Sequence, residues 1–192
     1  MFRGYITNLG AYNAGTLIGE WIDFPISDEN LKSVLHRIGV YDNDDEYNIL
    51  LNDFDEEYLS EEYFFTDYDW DEDIPVSPIK FFGEYSSIDS INDFAYYVSG
   101  LTNDDLDLIT AYFEAFNKPD DVDDFIDICE NVHHFYLINV NSNDELGHYF
   151  VDNGLFGDSI PACYENYIDY KAIGNDISYE GSFTSKGFLM EC

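Results

Sequence analysis

Forty-one aspartates and glutamates share this chain with seven lysines and arginines, so most of its carboxylates can have no basic partner. The formal net charge of -34 is several times the magnitude of about 2 to 8 that keeps a small domain soluble. Self-repulsion makes the excess a burden on the compact state. A fold that carries it needs a substantial core and a functional reason for the charge.

The core is available. Hydrophobic residues make up 45% of the chain, with 17 Tyr and 16 Phe, enough apolar area to offset the entropy of ordering it. The 192 residues admit one large domain or two to three small ones in series. The sign of the charge argues against direct nucleic-acid binding, where phosphates would be repelled, and disfavours an anionic membrane surface. The expected partners are cationic. No apolar run approaches the roughly 18 residues of a bilayer span, and the opening MFRGYITNLG lacks the apolar region of a signal peptide, so the expected location is cytoplasmic. Cys129, Cys163 and Cys192 are widely spaced and form no CxxC pair, which fits reduced thiols serving as small apolar fillers.

A stretch punctuated by Gly and Asn, Gly4 to Gly19, and an extended run, Leu17 to Phe24, closed by Pro25, read as strand and loop. Ser27 or Asp28 caps a predicted helix with Leu31, Val34, Leu35 and Ile38 at i, i+3, i+4 and i+7, ending at Gly39. Tyr47 to Leu51 reads as another strand. Val40 to Ile79 holds 15 acids and no Lys or Arg, yet also Tyr58, Tyr63, Phe64, Phe65, Tyr68 and Trp70. This segment is expected to be partly ordered against neighbouring domains, with Pro75 and Pro78 marking its exit.

Three helices follow. The first, capped near Ser86 or Ser87, buries Ile88, Ile91, Phe94, Ala95 and Val98 and stops at Gly100. The second opens on a capping box of Thr102 and Asp105 and lines one face with Leu106, Ile109, Phe113 and Phe116. The third has Pro119 near its first turn and an apolar stripe of Val122, Phe125, Ile126 and Cys129. Beyond them, Phe135 to Val140 reads as a strand and Asp144 to Asp152 as a helix stopped by Gly154. Pro161 to Ile173 reads as a helix stopped by Gly174, and Tyr179 to Met190 as the final strands.

On the third helix Asp120, Asp123 or Asp124, Asp127 and Glu130 recur every three or four residues, and Asp121 widens the band. Ten residues at about 1.5 Å rise spread these carboxylates over about 15 Å, in which one DNA strand presents roughly four phosphates. The second helix repeats the arrangement more sparsely with Asp104, Asp107 and Glu114. A solvated outer face is the ordinary explanation for such charge on one amphipathic helix. One-sidedness argues for more. Like charges at i, i+4 destabilise by a few tenths of a kcal/mol, yet only Lys118 lies between Phe81 and Tyr170. Anionic density itself is the selected property, and these nine acids form the candidate binding surface for a cationic partner.

Other motifs fail on inspection. Asp67, Asp69, Asp71 and Asp73 have EF-hand spacing, but Glu72 replaces the required Gly and Pro78 the terminal Glu. His133 and His134 follow Cys129 without zinc-site spacing. There is no GxSxG elbow, Walker loop or GxGxxG, so neither catalysis, nor a cofactor, nor a metal is expected. Tyr164, Tyr167 and Tyr170 have helical spacing, and a core or interface role outweighs base stacking.

Two stretches resemble the ArdA antirestriction family carried by mobile elements. Tyr5 to Ile26, YITNLGAYNAGTLIGEWIDFPI, is similar to its opening, with Asn8 to Gly10, Tyr12 to Gly15 and Gly19 to Trp21 carrying the pattern. Asn166 to Ile177, NYIDYKAIGNDI, followed by Gly181, Ser182 and Phe183, is similar to its close. Between them the likeness is of acidity, element order and length, with a surplus around Glu57 to Ile79. The resemblance implies an elongated homodimer, bent like DNA, that blocks Type I restriction-modification enzymes by binding their methyltransferase core, without catalysis. It implies three small α+β and helical domains: an N-terminal α/β domain with its acidic aromatic extension (1–80), a central helical bundle (81–132) and a C-terminal α/β domain (133–192), with pairing through Phe135 to Cys192. Two further readings fit the acidity alone. One is an interaction protein that sequesters another cationic DNA-binding protein or defence nuclease; the other is an ordinary domain from a high-salt organism.

Overall fold

Strand β1 (Phe2–Asn8) alternates from its first residue: Phe2, Gly4 and Ile6 are buried, and Arg3 and Tyr5 are half-buried on the opposite face. It lies in the first of two compact units, Met1–Leu101 and Thr102–Cys192, of a computed structural model that describes residues 1–71, 74–154 and 162–191. In the first unit, β1 runs into helix α1 (Leu9–Asn13), and strand β2 (Gly19–Phe24) returns antiparallel to β1. Helix α2 (Asp28–Arg37) starts at Ser27, whose side chain accepts from the Asn30 N–H. It ends where Gly39, at φ +78°, lets the Val40 N–H turn back to the Leu35 carbonyl.

Residues 44–50 correct the sequence reading, which made Tyr47 to Leu51 a strand. They form helix α3 (Asp44–Leu50), because Asn43 caps the Glu46 N–H and three acids occupy the first turn, where helix N-termini favour negative charge. The acidic aromatic segment is also better ordered than its charge implied. Tyr63–Trp70 is strand β3, antiparallel to β1, giving the order β2-β1-β3. Phe64 and Phe65 enter the core, and Asp67 and Asp69 stay outside.

Helix α4 (Ile88–Gly100) packs on β2 with Ile91, Phe94 and Ala95 buried. The Asn92 side chain fastens it to the turn after β2, accepting from the Ile26 N–H at 2.7 Å and donating to the Ile26 carbonyl at 2.9 Å. Ile88 and Val98, expected in the core, are only half-buried. Around the Phe2 ring, Phe24, Phe82 and Phe94 lie at centroid distances of 5.8, 5.8 and 5.6 Å.

One buried amide joins the pieces of this unit. Asn8 accepts from the Ala11 N–H, capping α1, and donates to the carbonyls of Ile38, Gly39 and Tyr58 at 2.8, 3.1 and 2.8 Å. It thus links β1 to the end of α2 and to the loop before β3.

The second unit begins with helices α5 (Asn103–Ala115) and α6 (Val122–Asn131), followed by strand β4 (Phe135–Ile138) and helix α7 (Asn143–Asp152). Helix α8 (Tyr170–Ile177) and strands β5 (Gly181–Thr184) and β6 (Gly187–Glu191) complete it. The sheet runs β4-β6-β5, all antiparallel. Ile138, Val140, Leu146, Ile177 and Phe188 form a core between this sheet and the α7–α8 pair.

Three sequence expectations are corrected here. Phe116 does not enter the core; it ends α5 at 51% exposure, its ring tilted against Tyr112 and edge-on to Phe135. Pro119, by contrast, keeps its expected place near the first turn of α6, just ahead of the Asp121 cap. The helix read from Pro161 to Ile173 is instead a 3-10 stretch, Ala162–Tyr167, and a separate α8 capped by Asp169, with Pro161 outside the described residues. Tyr164 and Tyr167 are 59% and 84% exposed and so are not core residues of this unit.

Gly174 does not stop α8. It sits inside it, facing Gly147 of α7, and a Cβ on either glycine would overlap backbone of the other helix. The two helices pack backbone to backbone, which only glycine permits. Gly174→Ala is expected to destabilise the second unit by on the order of 3 kcal/mol, read as a lowered urea midpoint; an unchanged midpoint would show that the helices can separate freely.

Candidate functional site

The nine candidate acids all lie in the second unit, and the structure gives them three different jobs. At the start of α6, Asp121 is the cap: its Oδ1 accepts from the Asp124 N–H at 2.9 Å, and Asp124 Oδ2 accepts from the Asp120 N–H at 3.2 Å. Asp120, Asp121, Asp123 and Asp124 therefore crowd one helix N-terminus, all exposed. The partial positive charge there, about half an elementary charge, offsets part of their mutual repulsion. Asp127 and Glu130 continue the exposed row, while Val122, Phe125 and Cys129 bury the other face. Burial pushes the Cys129 thiol up to about 12, so it stays a protonated apolar filler.

On α5 the acids divide. Asp104 is exposed in the first turn, beside the capping box that Thr102 and Asp105 make. Hydrogen bonds from the Thr102 N–H and hydroxyl hold the Asp105 carboxyl below the usual range. Asp107 pairs with Lys186 at 2.5 Å, and Glu114 accepts from the Ser185 hydroxyl and N–H, both at 2.6 Å. Those bonds keep the Glu114 carboxyl below its ordinary value. These two acids hold the β5–β6 turn onto α5. Sequence spacing could not have shown this, because the partners lie more than 70 residues downstream.

Each unit also has a cleft. In the first, a cleft of about 320 Å³ is lined by Leu31, Lys32, Tyr41, Glu46 and Tyr63 among others, and Lys32 already pairs with Glu46 inside it at 2.5 Å. In the second, a cleft of about 290 Å³ lies between α5, the C-terminal end of α6 and β6. Among the described residues no group of three or more His, Cys, Asp or Glu is placed to hold a metal ion, and no described helix is long and apolar enough to cross a membrane.

The sequence model of the family described as Antirestriction protein (ArdA) matches residues 4–190 of the chain. The chain belongs to the ArdA antirestriction family. That membership gives it an antirestriction function and places it among inhibitor proteins rather than catalysts. No curated protein sequence matches the chain.

In this ArdA chain the residues that carry the family likeness are structural. Asn8 is the buried junction described above, Trp21 lies under the Arg3 guanidinium at 5.0 Å, and Gly174 is the contact between α7 and α8. The nine candidate acids lie outside both stretches of that likeness, Tyr5 to Ile26 and Asn166 to Ile177.

The Glu46 carboxylate in the first unit's cleft has a measurable consequence. Glu46 is held down to about 2, first by its hydrogen bond from Lys32 and then by the Asp42 N–H. Its folded value lies below its unfolded value of about 4.3. Its contribution to stability is therefore fully present above about pH 4.3 and is lost as pH falls through about 2. The stability gap between wild type and Glu46→Gln, measured by urea denaturation, is expected to be widest near neutrality and to close near pH 2. A gap independent of pH would assign Glu46 a packing role instead.

Proposed function

We propose that this ArdA-family protein imitates duplex DNA and occupies the DNA-binding groove of the methyltransferase core of a Type I restriction-modification enzyme. The observation that carries this reading is the start of α6, where four exposed aspartates crowd one helix end and Asp127 and Glu130 extend the row. An ordinary solvated helix would interleave Lys at i+4. This one uses a helix N-terminus to tolerate anionic density and leaves the carboxylates facing outward. A groove built to release counterions from phosphates gains comparably by closing its Lys and Arg on such a surface, with fast, salt-sensitive association. No bond is made or broken; inhibition is occupancy.

Asp104 adds to the row, whereas Asp107 and Glu114 serve the partner surface indirectly by fixing the β5–β6 turn. The same reading makes the protein a homodimer paired through the region from Phe135 onward, and the exposed Tyr136, Tyr164, Tyr167 and Tyr179 supply aromatic surface for it. It also reads the chain as three small acidic domains, 1–80, 81–132 and 133–192, and puts the protein in the cytoplasm.

The test is competition. Titrated into a Type I methyltransferase bound to labelled cognate DNA, the protein is expected to displace the DNA stoichiometrically and less well as salt rises; no displacement at low salt would point to a different cationic target. Single changes to Asn at Asp120, Asp121, Asp123 or Asp124 should weaken displacement by no more than about threefold. Changing Asp120, Asp121, Asp123, Asp124 and Asp127 together should weaken it by about a hundredfold or more and reduce the salt slope by several. Asn oxygens still accept the capping bonds, so the helix survives. A full loss from one substitution would contradict distributed mimicry.

A further inference from the structure

The cleft of about 290 Å³ in the second unit adjoins the carboxylate row but differs from it in kind. Its wall is aromatic: Tyr112 of α5 and Phe135 of β4 meet edge to face at 5.3 Å. Its lining adds Asp127 and Asn131 of α6, His134, and Glu191 of β6, with no Lys or Arg. It lies at the C-terminal end of α6, where the helix carbonyls carry partial negative charge. The other cleft, in the first unit, already contains Lys32 beside its buried acid. Here that position is not filled from within the lining.

We infer that this cleft is a socket for one arginine side chain of the cationic partner, with the guanidinium against the Tyr112 and Phe135 rings and its N–H groups shared between Asp127 and Glu191. The inference rests on the proposed DNA-mimic reading for the presence of such a partner. Arginine fits better than lysine because its planar, weakly hydrated head stacks on aromatic faces while it donates to carboxylates. Two carboxylates and a helix C-terminus repel phosphates and other anions, which removes nucleotides and acidic lipids as occupants. A row of exposed carboxylates gives distributed attraction; an aromatic cleft beside it gives one localised anchor of the kind that dominates interface energetics.

Two measurements test this. The full chain is titrated with N-acetyl-arginine amide and followed by NMR. Saturable shifts confined to Tyr112, Asp127, Asn131, His134, Phe135 and Glu191 are expected, with none from the uncharged citrulline counterpart. Shifts that spread over the acids of α5 and α6 without saturating, or equal shifts from citrulline, would overturn the socket. In the methyltransferase competition, Glu191→Gln and Tyr112→Leu are each expected to weaken DNA displacement about tenfold. Asp144→Asn, an exposed acid outside the cleft lining, should change it less than about twofold. Equally small losses in all three variants would overturn the inference and leave the mimic standing. A chain that saturates with the arginine amide yet displaces no DNA keeps the socket and removes the mimic.

Discussion

Scarcity of positive charge governs how this chain is held together. Among the described residues, four of the seven cations act where two elements meet. Arg3 on β1 pairs with Asp69 on β3, Arg37 on α2 with Glu20 on β2, Lys32 on α2 with Glu46 on α3, and Lys186 with Asp107 on α5. Exposed pairs of this kind contribute up to about 1 kcal/mol each, so their larger effect is to relieve repulsion where acids of adjacent elements would otherwise oppose one another. The most buried junction uses no charge at all. A neutral amide, Asn8, satisfies several backbone groups at once without the desolvation penalty of an ion.

The remaining acids are placed where the backbone itself favours them. Among the described residues, α2, α3, α5, α6 and α7 each carry two or more acids in the first turn. Helix N-termini favour such residues by about 0.3 to 1 kcal/mol each at exposed positions. Five helix starts thus offset part of the burden that a charge of -34 imposes. The arrangement that stabilises the helices also concentrates carboxylates in patches instead of spreading them evenly, so the needs of the fold and of an anionic surface coincide.

What could be read from the sequence was what local periodicity and capping decide. Helix α5 announces itself through Thr102 and Asp105, and the α6 row through its spacing. Helix α3 reads as a strand because Tyr47 and Ile49 favour strands within an apolar run, whereas the Asn43 cap and acidic first turn decide the outcome. Strand β3 is masked by its own charge, since Asp67 and Asp69 interrupt the apolar signal of the strand that pairs with β1. Gly174 reads as a terminator because a glycine that ends a helix and one that lets another helix touch it look identical in sequence. The site followed the same rule: the acid row was legible, but the engagement of Glu114 with Ser185 and the cleft that Glu191 completes depend on residues brought together from opposite ends of the unit.

The cap of α6 has an evolutionary consequence. Asp121 and Asp124 hold the helix start through carboxylate oxygens that an asparagine amide would replace with little structural effect. Aspartate and asparagine codons differ by a single base, so drift at these positions alters the surface potential in steps of one charge while the backbone stays as it is. A lineage facing a changing set of host defences could retune its acidity residue by residue without passing through an unfolded intermediate.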